Sequence, residues 1–87
     1  MVKDFIPPLL RDVTVNRDLV EVSGATVREI VAALEAQYPG VRDRLCIADS
    51  LRPGLSVAVN GVVSSLGLLQ KVPDGSEVHF LPAVGGG

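Results

Sequence analysis

His79 has the widest chemical repertoire in this chain, yet it lies between Val78 and Phe80 with no second ligand or general base near it in sequence. In an alternating strand it points away from the face carrying those two neighbours, toward solvent or a partner. Cys46 is flanked by Leu45 and Ile47, a setting that suits a packing thiol better than a nucleophile. The carboxylates are scattered over several segments. The glycines at 24, 40, 54, 61, 67 and 75 are isolated turn residues and make no phosphate-binding loop. No combination of side chains supports an enzyme active site, so the chain itself is not expected to be an enzyme, and no bound cofactor or metal is expected.

The remaining candidate is backbone. The sequence ends Pro82-Ala83-Val84-Gly85-Gly86-Gly87. Consecutive glycines let a main chain pass a narrow channel and leave the terminal carboxylate open to attack. An extended tail from Pro82 reaches about 20 Å at about 3.4 Å per residue, enough to enter another protein's active site. A frayed end is the ordinary reading of such a tail, but the apolar pair Ala83-Val84 is an odd choice for a solvated linker. The reacting group is therefore expected to be the Gly87 carboxylate, with Gly85 and Gly86 supplying access. His79, Leu81, Pro82 and Val84 are the expected partner contacts.

The elements that must position this tail are legible in outline. Val2 to Ile6 reads as a strand ended by Pro7-Pro8. Leu19 to Val22 reads as a second, half-buried strand, forming a hairpin with the first. Thr26 and Glu29 have the spacing of a capping box, and Val27, Ile30, Val31 and Leu34 form one stripe of a helix from Val27 to Gln37, stopped by Pro39-Gly40. Residues 41–54 suggest a short turn of helix and a surface loop. Leu55 to Val59 is a strand, Asn60-Gly61 a tight hairpin turn, and Val62-Val63 its return. Residues 64–75 are loop-like, and the last strand, Glu77 to Leu81, is stopped by Pro82.

This order, two strands, one helix, then two or three strands, predicts an α+β chain whose mixed sheet wraps one helix, the β-grasp arrangement. Residues 1–82 are expected to form the domain and 83–87 a flexible tail. The predicted core is Val20, Val22, Ile30, Leu34, Val57, Val59, Val78 and Phe80.

Composition narrows the function classes. The chain has 87 residues and a formal charge of −2, which suits one small domain burying roughly 60% of its unfolded surface. Its eight basic residues are dispersed, so nucleic acid is not an expected partner. One cysteine cannot form an internal disulfide, Met1-Val2-Lys3-Asp4 does not open a signal peptide, and no apolar run approaches the ~20 residues of a membrane helix. A cytoplasmic protein is expected, with no membrane partner.

The C-terminal residues Phe80-Leu81-Pro82-Ala83-Val84-Gly85-Gly86-Gly87 resemble the ends of ubiquitin-like sulfur carriers of the MoaD/ThiS type. The resemblance extends to Phe5-Ile6-Pro7-Pro8-Leu9-Leu10-Arg11, to Gly24-Ala25-Thr26-Val27, to Val57-Ala58-Val59-Asn60-Gly61 and to Asp74-Gly75-Ser76-Glu77-Val78. These pieces cover nearly the whole chain in the family's order. The resemblance implies a carboxylate adenylated by a ubiquitin-activating-type adenylating enzyme, which uses ATP, then converted to a thiocarboxylate that passes sulfur to a sulfur-accepting synthase. Gly85 stands where relatives often have Ala or Thr, which leaves the carboxylate unchanged. The Ile-Pro-x-x-Leu-Arg start and Leu-Pro-Ala-Val end look closest to carriers for cysteine biosynthesis. The small subunit of molybdopterin synthase, a ubiquitin-like protein modifier and an inert interaction module are the alternatives.

Overall fold

The structure, a computed structural model, describes residues 1–82. The expected tail, with Val84, Gly85, Gly86 and Gly87, lies outside the described residues.

Strand β1 (Val2–Phe5) buries Val2 and Asp4 and turns Lys3 and Phe5 to the other face, the period of two that a pleated strand imposes. Strand β2 (Leu19–Val22) does the same with Val20 and Val22 inward. The two are antiparallel, with Asp4 opposite Val20, but no tight hairpin joins them. Residues 6–18 intervene and contain a 3-10 turn at Pro8–Leu10. That connection is tied down by polar groups: the Arg44 guanidinium donates to both Asp12 carboxylate oxygens, at 2.9 and 2.7 Å, and to the Leu9 carbonyl at 2.9 Å. The pair holds the Asp12 carboxyl below its usual range. Buried Leu10 anchors the same connection to the core.

Helix α1 (Val27–Gln37) starts where the sequence places it. Thr26 Oγ1 accepts the Glu29 backbone N–H at 3.3 Å. Glu29 Oε1 reaches back to the Ala25 N–H at 2.9 Å, one residue earlier than the usual reciprocal arm. Val27, Ile30, Val31 and Leu34 form the buried stripe. Helix α2 (Val41–Leu45) and a two-residue ladder, β3 (Cys46–Ile47) with β4 (Ser50–Leu51), occupy the segment expected to be a helical turn and surface loop. The charged residues there mask two core anchors, Val41 and Leu45, each fully buried.

Strands β5 (Leu55–Val59) and β6 (Val62–Val63) form the expected hairpin. Asn60 and Gly61 take φ of 52° and 83°, the left-handed conformations of a type I′ turn, which Asn tolerates and Gly adopts freely. Strand β7 (Glu77–Pro82) runs one residue past its expected end, with Pro82 opposite Leu55. Pairing with β1 ends at Phe5 opposite His79. Pro82 therefore sits at an edge position, where a missing N–H is tolerated.

The five-stranded sheet has the order β2-β1-β7-β5-β6. Strands β1 and β7 are parallel and the other neighbours antiparallel. Helix α1 covers one face, which is the β-grasp arrangement. All eight predicted core residues are buried. They share one cluster with Leu10, Val41, Leu45, Leu68 and Val72 from the connections.

Candidate functional site

The tail is delivered by β7, so the geometry of that strand decides where the candidate carboxylate starts. β7 is fixed at its root by Asn60. The Asn60 amide oxygen accepts the Glu77 N–H at 2.9 Å, the Asn60 backbone N–H donates to the Glu77 carbonyl at 2.8 Å, and Asn60 Nδ2 donates to Ser76 Oγ at 3.1 Å. Buried Val78 and Phe80 clamp the strand from below. Its other residues, Glu77, His79 and Leu81, stand on the open face of the sheet.

Register makes that face continuous. Leu19, Phe5, His79, Ala58 and Val63 lie side by side across all five strands. Near the centre of this row the Phe5 and His79 rings stack, with centroids 4.4 Å apart and planes within 5° of parallel. A second row, Glu21, Lys3 and Glu77, is charged. Of the four predicted contact residues, His79 and Leu81 are half-buried on the open face, while Pro82, exposed at the strand's end, takes the opposite phase of the alternation. Val84, the fourth, and the glycines lie outside the described residues. Phe5 was missed by the sequence reading, although its alternation with buried Val2, Asp4 and Ile6 marked it as outward-facing.

The other chemistry-bearing groups do not converge on this face. Cys46 is buried and free, beside a cavity of about 290 Å³ whose lining includes Val31 and Ala32 of α1, Arg42 of α2 and Leu68. Burial pushes its thiol up, with Arg42, Arg28 and Arg52 opposing, so it is a poor nucleophile. Asp4 is fully buried on β1, beside the central strand β7, and among the described residues neither carboxylate oxygen has a hydrogen-bond partner. Burial raises its carboxyl well above the usual range, and its alternation with Val2 and Ile6 was the sequence signal for this. Among the described residues, no group of three or more His, Cys, Asp or Glu side chains could hold a metal, and no helix is long and apolar enough to cross a membrane.

Strand β7 of this β-grasp sheet is followed in sequence by the terminal glycine run. The sequence pattern of the ThiS family matches residues 9–87, which includes that run. The chain belongs to the ThiS family. Within it, the chain is similar to the sulfur carrier protein CysO of Mycobacterium tuberculosis, 38% identical over 89 residues and covering 94% of both chains. It is also similar to the small archaeal modifier protein 3 of Haloferax volcanii, 37% identical over 65 residues and covering 72% of this chain and 71% of the relative. Among solved structures, the Amycolatopsis orientalis BexX/CysO complex contains a chain that superposes with a TM-score of 0.90 at 38% identity, covering 100% of both. These ThiS-family likenesses agree with the β-grasp topology and with the order of motifs along the chain.

Proposed function

We propose that this ThiS-family chain is a sulfur carrier, and that its reacting group is the main-chain carboxylate of Gly87. The observation that carries this reading is the family match over residues 9–87, which takes in the glycine end, together with the likeness to a sulfur carrier protein over 94% of the chain. A carboxylate is a poor electrophile. In the proposed cycle its oxygen attacks the α-phosphate of ATP held by a ubiquitin-activating-type adenylating enzyme, and pyrophosphate leaves. Hydrosulfide then attacks the acyl carbon of the mixed anhydride, AMP leaves, and loss of the S–H proton gives a thiocarboxylate. A sulfur-accepting synthase takes the sulfur, with cysteine as the biosynthetic product suggested by the likeness to CysO. Gly85 and Gly86 give the main chain room to enter each partner, and Pro82, Leu81, His79 and Val84 are the proposed contacts. ATP belongs to the activating enzyme, so the chain acts as carrier and needs no bound cofactor. The reading places it in the cytoplasm, where ATP is available.

The test is intact-protein mass spectrometry after incubation with the adenylating enzyme, ATP and a sulfur donor. Replacement of one terminal oxygen by sulfur is expected. Sulfur carried on Cys46 as a persulfide, or equal sulfuration of a chain extended beyond Gly87, overturns the reading.

The likeness to an archaeal modifier protein supports a second use of the same activated carboxylate. A lysine amine would attack in place of sulfur and form an isopeptide bond. Adducts linking Gly87 to lysines of other proteins would reveal it.

A further inference from the structure

The sheet edge farthest from β2 is the short strand β6, and the fold leaves its apolar residues uncovered. Val62 is 70% exposed and Leu66 57%, and both line a groove of about 540 Å³ together with Val63, Gln70, Lys71 and Pro73. That volume lies within the range of clefts that hold small ligands. The main chain is open there as well. The two-residue turn Asn60-Gly61 makes Val59 and Val62 a hydrogen-bonded pair, so the next pair, Ala58 and Val63, is a non-bonded one. The Ser64 N–H donates to the Val57 carbonyl at 2.9 Å, which continues the same phase. Val63 therefore points its N–H and C=O away from β5, toward the open edge. Sheet edges are ordinarily guarded by a charge or a proline, and Val62-Val63 has neither. An extended segment added along this edge gains main-chain hydrogen bonds.

Charge identifies the segment. Among the described residues lining the groove, Lys71 is the one that is charged. It is exposed, and among the described residues it makes no ion pair. Residues 83–87 are two small or apolar residues followed by three glycines, with no charged side chain, so on the carrier reading their one charge is the Gly87 carboxylate. An apolar groove holding one cation thus complements an apolar tail ending in one anion. The chain's own tail does not fit the place. Pro82 lies opposite Leu55, and Val63 opposite Ala58, three residues along and two strands across, about 14 Å apart. The five residues after Pro82 span at most about 17 Å, which leaves about one residue to lie along the edge. The tail of a second copy has no such limit.

We propose that the groove beside β6 receives the C-terminal tail of a second copy of this chain, with Val63 pairing to it through the main chain and Lys71 holding its carboxylate. The proposal rests on the carrier reading above, which makes Gly87 the free end. Self-association is then a state in which that carboxylate is withheld from activation.

The experiment is NMR on the isotope-labelled full chain, titrated with a synthetic peptide of residues 81–87 bearing a free carboxylate. Amide shifts are expected to move at Val62, Val63 and Lys71, and the same amides should move when the chain alone is concentrated. The peptide with an amidated end should bind about threefold more weakly, the worth of one exposed ion pair. Lys71→Gln should weaken the acid peptide by about the same factor and leave the amidated one unchanged. Val63→Pro removes the outward N–H at an edge position that tolerates proline, and it should abolish binding of both peptides. Val63→Glu, which sets a carboxylate against the tail's own, decides the matter if Val63→Pro does not fold. Shifts centred on the open sheet face or on the cavity beside Cys46, equal binding of acid and amide, or a concentrated chain whose shifts match the dilute one each overturn the proposal. The mass measurement of sulfuration tests the carrier reading separately. Sulfuration of Gly87 without peptide binding overturns the groove alone, and peptide binding without sulfuration overturns the carrier reading alone.

Discussion

Asn60 and Glu77 exchange two hydrogen bonds: the Asn60 amide oxygen accepts the Glu77 N–H at 2.9 Å, and the Asn60 N–H donates to the Glu77 carbonyl at 2.8 Å. One residue thus closes the β5–β6 hairpin in a left-handed conformation and pins the root of the strand that delivers the tail. Asn60→Ala removes both side-chain bonds, from the Glu77 N–H and to Ser76 Oγ, and places an ordinary residue at positive φ, so a loss of about 2 kcal/mol is expected in denaturant unfolding. Asn60→Gly relieves the backbone and should recover part of it. Equal loss in both variants would assign the whole effect to the side-chain bonds.

Leu34 is fully buried at the centre of the helix stripe. Leu34→Ala should destabilise by about 2 to 5 kcal/mol through lost transfer energy and the cavity it leaves. Thermal melts check this, and a variant melting with the parent would contradict the packing of α1 on the sheet.

Asp4 predicts an unusual pH dependence. Its folded-state carboxyl titrates well above the ordinary value of 3.8 because burial disfavours the charged form and no hydrogen-bond partner among the described residues compensates. As pH rises past that ordinary value, the unfolded chain gives up this proton while the folded chain retains it. The folded state then binds more protons, so Asp4 lowers stability progressively until pH passes the folded-state value. Asp4→Asn should flatten this part of the profile. Asp4→Val, which matches the flanking Val20 and Val78, should raise the neutral-pH melting temperature, and a lower one would overturn the assignment of an unpartnered buried acid.

Gly86→Trp should impair activation by blocking the main chain's passage, while Cys46→Ala should leave sulfuration largely unaffected because the thiol is buried and away from the sheet face. Intact mass after reaction reads both. Loss of the sulfur adduct in Cys46→Ala with the tail intact would move the chemistry to the thiol.

Binding to the activating enzyme should weaken only modestly as salt increases, since the dispersed charges and a formal −2 give little long-range steering. A binding constant that fell steeply between low and moderate salt would point to an electrostatic interface in place of the apolar row.

The sequence by itself determined the local elements and the candidate reacting group. Thr26 and Glu29 set the start of α1, the positive-φ pair Asn60-Gly61 set the central turn, and the strand period sent His79 and Leu81 outward, because caps, turns and alternation depend on residues a few positions apart. The glycine run was legible for the same reason, since it needs no distant partner to be recognised. What only the tertiary structure decided was long-range. That β1 runs parallel beside β7, setting Phe5 against His79, depends on register between segments 74 residues apart. The burial of Val41 and Leu45 among charged neighbours, the extension of β7 through Pro82, and the burial of Asp4 between Val20 and Val78 were likewise fixed by neighbouring elements. A linear pattern records which face a residue takes, but what lies against that face is settled only when the strands are paired and the helix is packed.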